Sequence, residues 1–187
     1  LVNNLQYSLP FIIKDLILKS NSEKSQFKKV IDLGCGTGLA GKDLRDISIN
    51  LIGIDISENM VSEAEKLDIY DTLIVGDIVE KLNLFPDKFD LFVALDVLIY
   101  IGDVQSIFKA VHMSCIPESL FVFSVEIQDD DGYSLLKSSR YAHSDEYIMD
   151  QTNGLFDLVN SQNVRLRKEG ENWIEGKVYV FRPVKLG

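Results

Sequence analysis

The chain has 187 residues, 46% apolar and 26% charged, a balance that suits one domain with a full hydrophobic core. No apolar run approaches the roughly 20 residues that cross a bilayer, and the two cysteines and two histidines are too scattered for a disulfide framework or a zinc motif, so reduced thiols in a cytoplasmic protein are expected. The net charge of −10 opposes the counterion displacement that drives binding to a phosphate backbone, so nucleic acid is expected to be an unlikely partner.

The opening residues Leu1-Val2-Asn3-Asn4 carry no basic region, and no secretory signal is expected there. Ser8-Leu9-Pro10 opens a helix to about Lys19, because proline is tolerated in a first helical turn. A polar linker, Asn21 to Ser25, completes an N-terminal section of residues 1–28. Strands and helices then alternate. Lys29 to Leu33 reads as a strand and Gly38 to about Ile47 as a helix. Asn50 to Ile54 is a second strand, and Ser57 caps a helix to about Leu67, with Glu58 in its first turn. Leu73 to Gly76 is a third strand. Phe89 to Leu95 is a fourth, apolar on both faces as a central parallel strand should be. Asp103 caps a helix to about Cys115, Pro117 stops it, and Leu120 to Val125 is a fifth strand. The alternation predicts a parallel sheet covered by helices on both faces.

The pattern changes after Glu126. Residues 127–153 read as a substrate-side cover: a turn at Asp129-Asp130-Asp131-Gly132, an aromatic loop or short helix, then a helix capped by Ser144 and ended by Asn153-Gly154. Phe156 to Arg167 and Trp173 to Arg182 close the chain as a hairpin around Glu169-Gly170-Glu171-Asn172, an antiparallel edge on a parallel sheet. Trp173, Phe181, Met113 and Cys115 are expected in the core. The whole of residues 1–187 is read as one domain.

The segment Val30-Ile31-Asp32-Leu33-Gly34-Cys35-Gly36-Thr37-Gly38 carries the most chemistry. It is a strand that enters a tight turn and leaves as a helix, and its glycines let backbone approach a ligand that a Cβ would push away. Two fingerprints fit. Gly36-Thr37-Gly38-Leu39-Ala40-Gly41 matches the dinucleotide pattern G-x-G-x-x-G. Asp32 with Gly34, Cys35, Gly36 and Gly38 matches the D-x-G-x-G-x-G turn of S-adenosylmethionine-dependent methyltransferases. That ligand has no pyrophosphate, and an acid at the strand end suits its cationic methionine portion. Asp55, ending the second strand, suits both ribose hydroxyls, a feature that NAD would share. Asp77 suits the adenine amino group, the Ile78 N–H the adenine ring, and Ile56, Met60 and Ile78 its two faces. Acids at the ends of three successive strands mark one ligand cleft. Cys35 reads as a small turn residue rather than a nucleophile, for want of an adjacent base.

On these motifs, together with Phe89 to Tyr100, the chain resembles the class I, Rossmann-like methyltransferases over most of its length. The resemblance implies a three-layer α/β fold: a seven-stranded sheet, mostly parallel with an antiparallel C-terminal strand. It implies S-adenosyl-L-methionine as cofactor and S-adenosyl-L-homocysteine as product, with no metal. Val97 to Asp103, Phe123-Ser124-Val125-Glu126 and Arg140 to Ser144 also resemble predicted methyltransferases often fused to tetratricopeptide repeats, although no 34-residue repeat occurs here.

Methyl transfer mainly requires an acceptor held in line with the sulfonium methyl. Leu95 and Asp96 end the fourth strand where that chemistry occurs, Leu95 toward the cofactor and Asp96 toward cofactor or acceptor. An Asn/Asp-Pro-Pro-aromatic motif is lacking there, which disfavours transfer to bases or amide nitrogens. Arg140 suits a carboxylate or phosphate clamp, and His143 a general base. Tyr100, Tyr133 and Tyr141, with Arg140, are expected to line the acceptor pocket, and Tyr7 to pack from the N-terminal helix rather than to close over the cofactor. The acceptor is expected to be a small molecule or a protein side chain. A catalytically silent adenosylmethionine-binding module and an NAD-dependent oxidoreductase remain as rival readings. Oligomeric state leaves no trace in the sequence.

Overall fold

The structure is a computed structural model that describes residues 9–21, 25–85 and 88–184, the side chains of 9–11 excepted. Tyr7 lies outside the described residues. Among those described, nine strands form one sheet. Five central strands run parallel in the order β3-β2-β1-β4-β5: β1 Phe27–Leu33, β2 Ser48–Asp55, β3 Thr72–Val75, β4 Phe89–Ala94 and β5 Cys115–Ile127. The two C-terminal strands, β8 Phe156–Glu169 and β9 Asn172–Pro183, form the expected hairpin. β9 lies antiparallel against β5, Phe121 facing Phe181 and Glu126 facing Gly176. The mostly parallel frame with an antiparallel C-terminal strand is therefore present.

Residues 127–153 differ from expectation in one respect. Two three-residue strands, β6 Tyr133–Leu135 and β7 Tyr141–His143, form a small hairpin where a loop or short helix was expected. β7 continues the sheet beside the last two residues of β5. Three-residue strands lack the length for a period-2 pattern to register.

Helices cover both faces, as alternation in the strands demands. Val30, Leu91, Val93, Leu120 and Val122 turn toward α1 (Leu9–Ser20) and α2 (Leu39–Arg45). Ile31, Leu33, Phe92, Phe121 and Phe123 turn the other way, toward α4 (Ile78–Leu82) and α5 (Gln105–Ser114). Strands buried on both faces read as continuous apolar runs, which is why β4 and β5 were visible in the sequence. Phe108, Phe121, Phe123 and Phe181 pack ring to ring at centroid distances of 4.8 to 5.8 Å. Phe181 and Cys115 are buried as expected. Met113 is 62% exposed and Trp173 half-buried, its ring under Arg165, so neither is core.

The polar signals act where the sequence put them, with two exceptions. The Ser57 hydroxyl accepts from Met60 N at the start of α3 (Glu58–Glu65), and Ser144 accepts from Tyr147 N at the start of α6 (Asp145–Thr152). Asp103 does not cap α5. It accepts from Gln105 N in a local turn, while Val104 holds the cap position. Pro117 does not stop α5 either, because the helix ends at Ser114 and Pro117 lies within β5, which begins at Cys115.

Candidate cofactor and acceptor site

The carboxyl ends of β1–β4 open on one cleft of about 860 Å³, at the roomy end of ligand sites. The glycine turn leaves β1 here. Gly34, Gly36 and Gly38 all take positive φ, 69°, 52° and 85°. A Cβ on Gly36 would meet no protein atom within 4 Å, so that side of the backbone faces open cleft and stays bare for a ligand. Gly38 does not line the cleft. It precedes α2 with its Cβ side against Leu67 and Tyr70.

Asp32 lies one residue before the end of β1 at 2% exposure, and its carboxylate accepts a 2.7 Å hydrogen bond from the Tyr70 hydroxyl. Burial raises the Asp32 carboxyl to about 7, the Tyr70 bond opposes the rise, and Asp55 adds to it. Tyr70 reaches Asp32 through a slot made by glycines. A Cβ on Gly41 would lie 2.2 Å from its hydroxyl oxygen, and one on Gly53 3.0 Å from its ring. The loop carrying Tyr70 is fixed by Arg45, which donates to Asp71 and to the carbonyls of Ser48, Ile49 and Ile69.

Asp55, at the end of β2, accepts from Gly36 N and Ser57 N, each at 2.8 Å, and so ties the glycine turn to the next strand. Each oxygen keeps a second lone pair for a hydroxyl. Asp77 lines the cleft and accepts from Glu80 N as the cap of α4, a short helix the sequence did not announce. Ile78 opens that helix, where a first-turn N–H has no intrahelical acceptor. Ile56 is 75% exposed and Met60 44%, both on the cleft lining, an apolar pair suited to a flat ring. Cys35 also lines it. Its thiol is pushed far up by burial and by the Asp32 and Asp55 charges, so it is held protonated and inert.

At the β4 end, Leu95 and Asp96 line the cleft. The Asp96 backbone is left-handed at φ 56°, rare for a residue with a side chain, and its N–H donates to Ser124 Oγ at 2.9 Å. Tyr100, 66% exposed, and Arg140 are on the lining as expected. Tyr133, Tyr141 and His143 are not. The two tyrosines pack edge to face over Gly102. His143 is fully buried, and its Nε2 lies 2.9 and 3.0 Å from the carbonyl oxygens of Ile101 and Gly102, so Nε2 carries the proton and donates. Burial lowers its pKa against the pull of those carbonyls. The general-base expectation therefore gives way to a structural one: His143 fastens β7 to the turn at Ile101-Gly102.

The sequence missed Tyr70 and the far wall of Arg167, Lys168 and Glu169. The one local signal for that wall is a charged triplet just before Gly170.

Residues 31–123 match the family model described as a methyltransferase domain, the stretch that holds Asp32, the glycine turn, Asp55, Asp77 and Asp96. The chain belongs to the class I, S-adenosylmethionine-dependent methyltransferases. The cofactor of this family is S-adenosylmethionine. Among similar proteins, an 18S rRNA (guanine-N(7))-methyltransferase of Bos taurus is 32% identical over 94 residues, 49% of this chain and 34% of that protein. A ubiquinone biosynthesis O-methyltransferase of Pseudomonas syringae pv. tomato is 26% identical over 113 residues, 57% of this chain and 47% of that one. The chain thus spans less than half the length of these two relatives. An S-adenosylmethionine-dependent methyltransferase from Clostridium acetobutylicum shares the fold at TM-score 0.71 and 22% identity, covering 93% of this chain and 90% of that one. The N-methyltransferase NodS from Bradyrhizobium japonicum, in complex with S-adenosyl-l-homocysteine, does so at 0.69 and 15%, covering 93% and 87%. The rRNA methyltransferase among the relatives corrects the expectation against nucleic acid, because a chain's total charge does not report the local field at its site. No helix among the described residues is long and apolar enough to cross a membrane.

Proposed function

We propose that this chain transfers a methyl group from S-adenosylmethionine to a small-molecule acceptor. The observation that supports it is the row of carboxylates Asp32, Asp55 and Asp77 on one cleft, around a glycine backbone left open at Gly36. The donor set suits the group. A buried carboxyl beside a bare turn fits a cationic amino-acid end, and lone pairs left on Asp55 fit two ribose hydroxyls. Ile56 and Met60 fit the adenine faces, with the Ile78 N–H and Asp77 at its edge. When bound, the cofactor supplies an activated methyl on a good leaving group. The protein's part is then to orient: Leu95 and Asp96 at the end of β4 set the approach, and Tyr100 and Arg140 hold the acceptor against it.

The dinucleotide alternative loses its third glycine to another purpose, since the space beside Gly41 is filled by Tyr70. Calorimetry separates the readings. Adenosylhomocysteine is expected to bind with about micromolar affinity and NAD(H) not at all. NAD(H) binding in place of adenosylhomocysteine would falsify the proposal. Methyl transfer across an acceptor panel then separates an enzyme from a silent binding module.

A further inference from the structure

Past β4 the wall of the cleft carries charges that cancel. Arg140, the residue before β7, donates to Glu169 through Nη1. Arg167, from β8, donates to Glu126 through Nη2 at 2.6 Å and to Glu169 through Nε at 3.2 Å. Lys168 and Asp96, on the same lining, complete three cations and three carboxylates. This stretch is therefore neutral on a chain whose total is −10. Its paired heads are also withdrawn from the cleft. Side-chain exposure is 12% for Arg167 and 7% for Glu126, and Arg140 Nε and Arg167 Nη1 lie buried. Lys168 is exposed to water, which screens its charge.

The rest of that wall is apolar. Val97 and Ile107 belong to the core beneath α4 and α5, and Val79 and Ile101 pack against it, yet all four reach the cleft lining. The short turn Leu98–Tyr100 buries its first two residues, at 0% and 2% exposure, and leaves Tyr100 at 66% on the lining. The core thus comes up to the cleft, and an aromatic ring stands uncovered at its edge. An anion would find Arg140 and Arg167 already answered by carboxylates. A cation would find Glu126 and Glu169 already answered by guanidinium groups. Either ion would give up hydration against an apolar wall with no net charge to replace it. An uncharged molecule gives up far less and buries its apolar side against Tyr100 and Ile101.

We propose that the methyl acceptor is an uncharged small molecule with an apolar body, seated on Tyr100 and Ile101. The inference rests on the methyl-transfer reading above and adds the acceptor's class. Arg140 then borders the acceptor as one half of an ion pair, not as an anion clamp. The acids of the β1–β3 end are left to the cofactor, so the two ligands do not compete for charge.

The test uses the chain loaded with adenosylhomocysteine, whose binding is first established by calorimetry. Benzyl alcohol, benzoate and benzylammonium share one ring and carry no charge, a negative charge and a positive charge. They are titrated at neutral pH while the Ile101 methyl resonances are followed, Ile101→Val assigning them. Benzyl alcohol is expected to shift these signals saturably and to bind at least about fivefold tighter than either ion. Glu169→Gln leaves Arg140 and Arg167 short of one carboxylate, so benzoate should gain at least about threefold while benzyl alcohol stays within about twofold. The wild-type titration decides the matter even if the variant misfolds. Either ion binding the wild type as tightly as benzyl alcohol, or no Ile101 response to any probe, overturns the uncharged assignment and leaves the cofactor reading standing. A folded Glu169→Gln chain that takes benzoate no better than the wild type overturns it as well. A chain that takes up no adenosylhomocysteine overturns both readings.

Discussion

The two ends of the cleft are built in different ways. The β1–β3 end is made of backbone and short acids, each placed at the tip of its own strand and tied to the next: Asp55 to Gly36, Tyr70 to Asp32. The β5–β8 end is made of long side chains that meet across the chain, Arg167 with Glu126 and Arg140 with Glu169. The first leaves little freedom in what it accepts. The second can change its residues without disturbing a strand. A fold that keeps one ligand and varies the other would divide its construction in this way.

The sharpest way to break the comparison is at Asp32. Asp32→Asn removes the negative charge offered to the cofactor's ammonium, and adenosylhomocysteine affinity should fall about 100-fold by calorimetry, in line with about 2–3 kcal/mol for a charge-assisted bond. The Arg140 and Arg167 pairs at the other end should keep their arginine Nε–H resonances. Resonances that move with the loss would show that the ends are not independent.

Next is the slot that admits Tyr70. Gly41→Ala places a methyl 2.2 Å from the Tyr70 hydroxyl, and thermal unfolding should report about 1–3 kcal/mol of lost stability as the ring is forced out. Adenosylhomocysteine affinity should fall with it, because Asp32 loses the hydrogen bond that Tyr70 donates.

His143→Ala sharpens the far end. Loss of the bond to Ile101 and Gly102 should lower stability by about 1–3 kcal/mol, while adenosylhomocysteine affinity stays within about twofold. A fall in turnover without a fall in melting temperature would restore the general-base role.

The smallest effect is in pH. The folded Asp32 carboxyl titrates near 7, against an ordinary value of 3.8. Between those values the folded chain binds more protons than the unfolded chain, so this group makes stability fall as pH rises from about 4 to 7 and adds no slope above. Cofactor binding needs the ionised form. Adenosylhomocysteine affinity should therefore rise about tenfold or less from pH 6 to 8, and Asp32→Asn should flatten both profiles.

The same division decided what the sequence made legible. Glycine spacing, strand-end acids and the serine caps at Ser57 and Ser144 act within a few residues of themselves, and local pattern reaches that far. Asp77 was legible as a cleft residue, but the helix α4 that it caps was not, since five residues are too few to show periodicity. Tyr70 lies 38 residues from Asp32, and Arg167 lies 41 from Glu126. Pairings over such separations are set by sheet order, which strand propensity does not encode. His143 was misread for the same cause. Its type suggested acid–base chemistry, but its partners are two carbonyls 41 and 42 residues away.

The tip of the last hairpin turns on Gly170 and Glu171, between the paired residues Glu169 and Asn172. Arg167, Lys168 and Glu169 are therefore the last paired residues of β8, next to a two-residue turn. Grafting a tip of different length or charge onto β8 and β9 would re-aim the molecule at other acceptors, with no atom of the glycine turn altered: a handle for directed evolution that leaves its methyl supply alone.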